Sequence, residues 1–112
     1  MSFSIITLRS FDKELKKLAK KYPSLKQDYS NLLDEIEINP KLGTPIGSNC
    51  YKIRLSIASK GKGKSGGARV ITHLVINIEG ETLYLLKIYD KADLDNISEA
   101  ELKYLLAAVR TL

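Results

Sequence analysis

The sequence predicts an α+β domain in which a small, mainly antiparallel sheet packs on an N-terminal helical hairpin and a C-terminal helix. Three observations carry this reading. Two adjacent segments near the N-terminus show helical apolar spacing and are separated by Pro23. Three apolar runs rich in β-branched residues follow, divided by turn-forming stretches. Ser98 and Glu101 then stand at capping-box spacing before a last apolar stripe. At 112 residues, 44% hydrophobic and 28% charged, the chain suits one domain, 1–112, with one core.

Each element follows in order. Phe3 to Leu8, with two Ile and a Thr, is expected to be a strand. Ser10 is expected to cap a helix whose apolar face is Phe11, Leu15, Leu18, Ala19 and Tyr22. Pro23 ends that helix. Ser24 starts a second one, with Leu25, Tyr29, Leu32, Leu33 and Ile36 as its stripe, and Asn39-Pro40 closes it. So short a connection predicts a helical hairpin. Lys41 to Asn49, rich in Gly, Pro, Ser and Asn, is expected to be a loop. Strands are expected at Tyr51–Ile57, Ala68–Ile78 and Thr82–Tyr89, joined by the Lys/Gly/Ser segment Ser59–Gly67 and a turn at Glu79-Gly80-Glu81. The closing helix faces the core through Leu102, Leu105, Leu106 and Val109. The predicted order is β-α-α-β-β-β-α.

Composition narrows the function classes. No apolar run is long enough to span a bilayer, and the N-terminus lacks the pattern of a signal peptide, so no membrane role is expected. A single Cys50 excludes an internal disulfide and fits a reducing cytoplasm. One Cys and one His argue against a structural zinc site. The formal charge is +5, and residues 38–78 contain seven Lys or Arg and no Asp or Glu. A concentrated basic block of this kind suits a polyanion such as nucleic acid.

Strand alternation sharpens that reading. Ile53, Leu55 and Ile57 take one face of their strand, and Lys52, Arg54 and Ser56 the other. In the last strand Tyr84, Leu86 and Ile88 oppose Lys87, Tyr89 and, by extension, Lys91. In the middle strand Val70, Thr72, Leu74 and Ile76 oppose Arg69, Ile71, His73 and Val75. If each apolar set packs on the helices, the other face gathers Lys52, Arg54, Arg69, His73, Lys87, Tyr89 and Lys91. Such self-repulsion destabilises a fold, which points to function. Other features have plainer readings. The run KGKGKSGG lacks the first glycine of a phosphate loop, since Ala58 stands there, and a strand follows it. His73 is an ordinary strand residue and Cys50 a small buried one. Asp90, Asp93 and Asp95 form a surface acidic linker, not a metal site. Lys13, Lys16, Lys17, Lys20 and Lys21 form a solvated helix face, with contact to RNA as a second reading.

The runs GKGKSGGARVIT (Gly61–Thr72) and LYLLKIYDKADLDNISEAELKYL (Leu83–Leu105) resemble the RelE/ParE superfamily of bacterial toxins, and within it the HigB-like RelE branch. The resemblance covers essentially the whole chain and rests on Gly66-Gly67-x-Arg69-Val70 with Tyr89-x-Lys91. It implies the RelE-like fold and a ribosome-dependent endoribonuclease, the toxin of a toxin–antitoxin pair. Its partners would be a cognate antitoxin protein, the ribosome and mRNA. The implied chemistry uses no metal or other cofactor: the RNA's own 2′-hydroxyl attacks the adjacent phosphorus. By resemblance Arg69, Tyr89 and Lys91 are the catalytic set. Arg54 lies where relatives carry basic residues, and Lys60, Lys62 and Lys64 match a basic loop that meets RNA backbone from a flexible connector. Lys52 and Lys87 join the RNA-binding set by sharing the face. This chain departs from many relatives in having Thr72-His73 where they carry aromatic rings. Two other activities stand beside this one: a ParE-like inhibitor of DNA gyrase, and a nucleic-acid-binding relative without activity.

Overall fold

The computed structural model describes residues 2–61, 63 and 65–112. Strand β1 (Ser2–Thr7) leads into helix α1 (Arg9–Lys21), and α2 (Leu25–Ile38) follows across Tyr22-Pro23-Ser24. Then come β2 (Thr44–Gly47), β3 (Cys50–Leu55), a single 3-10 turn at Ala58–Lys60, β4 (Ala68–Asn77), β5 (Gly80–Asp90) and α3 (Glu99–Val109). The five strands form one sheet in the order β1-β5-β4-β3-β2. β1 runs parallel to β5, and the other three pairings are antiparallel. This is the expected α+β class with a mainly antiparallel sheet.

The hairpin helices contribute Phe11, Leu18, Leu25, Leu32 and Ile36 to one core with Ile53, Val70, Leu83, Leu85 and Ile88 of the sheet. Phe11 is completely buried, and removing such a ring typically costs about 3–5 kcal/mol. Both stripes read from helical spacing therefore face the sheet.

Local chemistry differs from expectation at three places. Ser10 does not cap α1. Leu8 is the boundary residue, its N–H bonded to Leu85 O at 3.1 Å, so the chain turns helical directly on leaving the sheet. Ser24 stands at the start of α2 but has helical dihedrals, which prevent a side-chain cap. Its hydroxyl donates instead to Asp28 Oδ2 at 2.7 Å. Third, the stretch 41–49 is not all loop, because Thr44–Gly47 pairs with β3. Ser48 and Asn49 have positive φ of 54° and 56°, the two-residue primed turn that suits Asn and matches strand twist. A four-residue edge strand holding Pro45 and Gly47 carries too little apolar pattern to stand out. The Ser98 cap is present: its Oγ accepts the Glu101 N–H at 3.0 Å.

Candidate active site

Sheet register assembles the site in rows. Arg54 lies opposite Arg69, and Arg69 opposite Tyr89. The next row is Lys52, Ile71 and Lys87, and the next Cys50, His73 and Tyr84. Directly paired residues share a sheet face, so Lys52, Arg54, Arg69, His73, Lys87 and Tyr89 lie together. Tyr84 departs from the alternation read along the strand. Lys87 pairs with Ile71 and Leu85 with Thr72, so Leu86 is an extra, bulged residue. The bulge shifts the phase and brings Tyr84 onto the face of His73, where the rings stack at 6.3 Å.

This face is not an open cationic surface, and here the structure corrects the expectation. Lys87 Nζ donates to Glu101 Oε2 at 2.6 Å, Lys52 Nζ to Asn96 Oδ1 at 2.8 Å, and Lys91 Nζ to Asp95 Oδ1. Residues 95–101 thus strap three of its lysines. Ile71 sits between Lys52 and Lys87 and is fully buried, because the start of α3 lies over that row with Leu102 and Leu105 turned inward. Alternation places side chains on a face, but it cannot tell what another segment lays over them.

Beneath this strap Arg69 and Tyr89 are each only 5% exposed. Arg69 Nη1 donates to Ala68 O at 3.1 Å and Nη2 to Ser65 O at 3.2 Å, so backbone carbonyls orient the guanidinium. The Tyr89 hydroxyl is buried with no hydrogen-bond partner among the described residues. Burial raises its pKa above the ordinary value of 10.0; Arg69 opposes that shift, while Asp95 and Glu101 add to it. The hydroxyl is therefore a neutral donor near pH 7. Arg54 is exposed. Beside Tyr89 and Lys87 a cavity of about 340 Å³ opens toward Lys17 and Lys21 of α1. These two lysines, expected on a solvated helix face with RNA contact as a second reading, are exposed and border the site. Their four-residue spacing beside the buried Leu18 was the available signal.

The basic loop is anchored at its start. Lys60 Nζ donates to Asp90 Oδ1 at 2.7 Å, and its side chain is only 10% exposed. The lysine expected to meet RNA backbone from a flexible connector is thus paired with a buried carboxylate. Lys62 and Lys64 lie outside the described residues. Asp90 is likewise not a surface residue of an acidic linker, since its side chain is fully buried. It shares a row with Leu55 and Ala68, on the face opposite Tyr89. Burial pushes its carboxyl up, but hydrogen bonds from Lys60, the Tyr22 hydroxyl and the Ala92 N–H outweigh burial and lower it from 3.8 to about 2. A depressed carboxylate stabilises the fold above its unfolded pKa, and that stability disappears as pH falls through the folded one. The stabilisation from Asp90 is therefore expected to be complete above about pH 4 and lost toward about pH 2, on the order of 2 kcal/mol. Urea midpoints measured from pH 6 to pH 2 check this. The wild type is expected to lose more stability over that window than Asp90→Asn, and parallel curves would refute the assignment.

Cys50 is no nucleophile in this arrangement. Burial pushes its thiol up to about 11, and Sγ contacts Ser48 O and His73 Nδ1, each at 3.5 Å. Among the described residues no group of three or more His, Cys, Asp or Glu side chains is placed to hold a metal ion. No helix there is long and apolar enough to cross a membrane.

Comparison with known proteins agrees with this architecture. A family model described as the RelE toxin of the RelE/RelB toxin–antitoxin system matches residues 8–112. Among solved structures, a mutant of the E. coli toxin RelE in its free state is similar. Its TM-score is 0.57 at 21% identity, with 100% of each chain covered. That likeness carries the fold.

Proposed function

The chain belongs to the RelE toxin family, the toxin half of toxin–antitoxin systems, and on that premise we propose that it is a ribosome-dependent, metal-independent mRNA endonuclease of the HigB-like branch that acts in the cytoplasm to inhibit translation. The observation that carries this reading is the row Arg54–Arg69–Tyr89, whose buried tyrosine hydroxyl has no partner among the described residues. A buried hydroxyl without a partner costs about 1–3 kcal/mol. Such a group is retained more readily where a ligand completes it.

The reaction assigns roles to these residues. The RNA 2′-hydroxyl gives its proton to solvent as its oxygen attacks the adjacent phosphorus. The P–O5′ bond breaks, leaving a 2′,3′-cyclic phosphate and a 5′-hydroxyl. Arg69, held by two carbonyls, faces the charge that develops on the phosphoryl oxygens. Tyr89, neutral near pH 7, donates a hydrogen bond or proton toward the leaving 5′-oxygen. Lys52, Lys87 and Lys91 exchange Asn96, Glu101 and Asp95 for phosphate as the strap opens. Arg54 holds the flanking backbone. The cognate antitoxin presents an acidic segment to the same cations.

Programmed ribosomes test this reading. Adding the protein is expected to cut mRNA in the ribosomal A site, with no requirement for a divalent ion beyond what the ribosome needs. Primer extension locates the cut, and end-group analysis is expected to find a 2′,3′-cyclic phosphate. Expression in cells is expected to arrest growth until the antitoxin is co-expressed. Intact mRNA together with gyrase-dependent DNA breaks would replace the proposal with gyrase inhibition.

A further inference from the structure

We propose that Asp90 and Lys60 are positioning residues: their buried ion pair clamps the basic loop, and the clamped loop sets Arg69 and Lys91. This rests on the cleavage reading above and deepens it. It takes Lys60 out of the RNA-contacting set.

The loop between β3 and β4 is tied at both described ends. At its start, Ala58 N–H donates to Asp28 Oδ2 at 3.1 Å, and Ser59 N–H to Ser24 Oγ at 2.8 Å. Lys60 Nζ donates to Asp90 Oδ1 at 2.7 Å and lies 5.4 Å from the centre of the Tyr22 ring. At its end, Ser65 O accepts from Arg69 Nη2, and Gly67 O accepts from the Lys91 N–H at 3.1 Å. Asp90 also accepts the Ala92 N–H at 2.9 Å and the Tyr22 hydroxyl. Lys91 is therefore bracketed by a carboxylate that orders the next peptide and a loop carbonyl that holds its own N–H. Tyr89, on the other side of Asp90 in sequence, points to the opposite face. One buried carboxylate thus joins the helical junction, the loop and the end of β5 at the residues assigned to chemistry.

The physical consequence is specific. Removing the ammonium of Lys60 leaves a buried carboxylate with only the more distant, exposed Lys21 ammonium at 4.0 Å among the described residues. The loop start keeps its ties to Asp28 and Ser24 but loses its anchor on the end of β5, and the Ser65 and Gly67 carbonyls shift relative to Arg69 and Lys91. Displacements near 1 Å cost about 10²-fold in rate. Binding of RNA, which draws on the other cations, is spared.

Lys60→Met, Lys60→Arg and Asp90→Asn are compared with wild type in single-turnover cleavage on programmed ribosomes, alongside ribosome affinity against salt. Lys60→Met is expected to lower the saturated rate by about 10²-fold while affinity and its salt slope stay unchanged. Lys60→Arg is expected to restore most of the rate, and Asp90→Asn to resemble Lys60→Met. A phosphate-contacting lysine behaves oppositely, since its loss flattens the salt slope by about 0.7–0.9. A flattened slope with an intact saturated rate would overturn the proposal, as would wild-type rates in both Lys60→Met and Asp90→Asn. Hydrogen exchange gives a readout independent of activity: the Lys91 and Gly61 amides are expected to lose protection in both variants. If the wild type cuts no RNA but these amides do lose protection, the enzymatic reading fails and the clamp stands. Unchanged protection removes the clamp itself.

Discussion

Replacing Arg69 with Lys is expected to lower ribosome-dependent cleavage by about 10²–10³-fold although the charge is kept. The guanidinium spreads its charge over a planar fork and spends two donors on Ala68 O and Ser65 O at 3.1 and 3.2 Å. An ammonium is a point charge on a flexible stem, and at 5% exposure it has no water to complete its shell. It cannot hold those carbonyls and still face a phosphate in the same geometry. Tyr89→Phe is the companion experiment, with a distinctive signature. Its hydroxyl is buried and unpartnered among the described residues, so deleting it is expected to leave stability unchanged or raise it, by up to about 1 kcal/mol, while cleavage falls. A residue whose loss helps the fold and harms the reaction is retained for the reaction. Denaturant midpoints and single-turnover rates on the same preparations decide the matter. If both variants cut at the wild-type rate, the Arg54–Arg69–Tyr89 row is not the active site.

Gly67→Ala is expected to destabilise the fold by steric overlap. A Cβ at this position would stand 2.1 Å from Leu55 O and 3.1 Å from both Leu55 C and Ile57 N. All three are backbone atoms at the end of β3 or just beyond it and cannot swing away as a side-chain tip would. The chain must therefore part at the entry to β4, where Gly67 O also accepts the Lys91 N–H. Overpacking of this type costs about 1–3 kcal/mol and sometimes more. Gly61→Ala is the control: that glycine has φ +71° but nothing within 4 Å, so only left-handed strain of about 1–2 kcal/mol applies. Thermal unfolding of both variants is expected to place Gly67→Ala well below Gly61→Ala. Equal losses would show that strand approach does not explain this glycine.

Much of this architecture was legible in the sequence. Helical spacing in Phe11–Leu18 and Leu25–Ile36, Pro23 between them, the Ser98–Glu101 cap and the alternation of Lys52-Ile53-Arg54 are local patterns, and local patterns follow from backbone period alone. The same period put Arg54, Arg69, Lys87 and Tyr89 on one face, as the register bears out. The motif residues pointed to the family that the chain belongs to.

Tertiary structure decided the rest, because it depends on contacts between residues far apart in sequence. The bulge at Leu86 arises from pairing with β4 and moved Tyr84 to the face of His73. The strap of residues 95–101 crosses the sheet from outside it, turning an apparent stripe of bare cations into ion pairs and buried groups. Asp90, written in an acidic run, is drawn under the helical junction because its alternation phase faces the core, and there Lys60 pairs its charge and the Tyr22 hydroxyl hydrogen-bonds it, from thirty and sixty-eight residues away. A sequence displays which groups are charged. Only the fold sets which charges meet, and burial then sets whether a meeting stabilises the chain or reserves a group for its ligand.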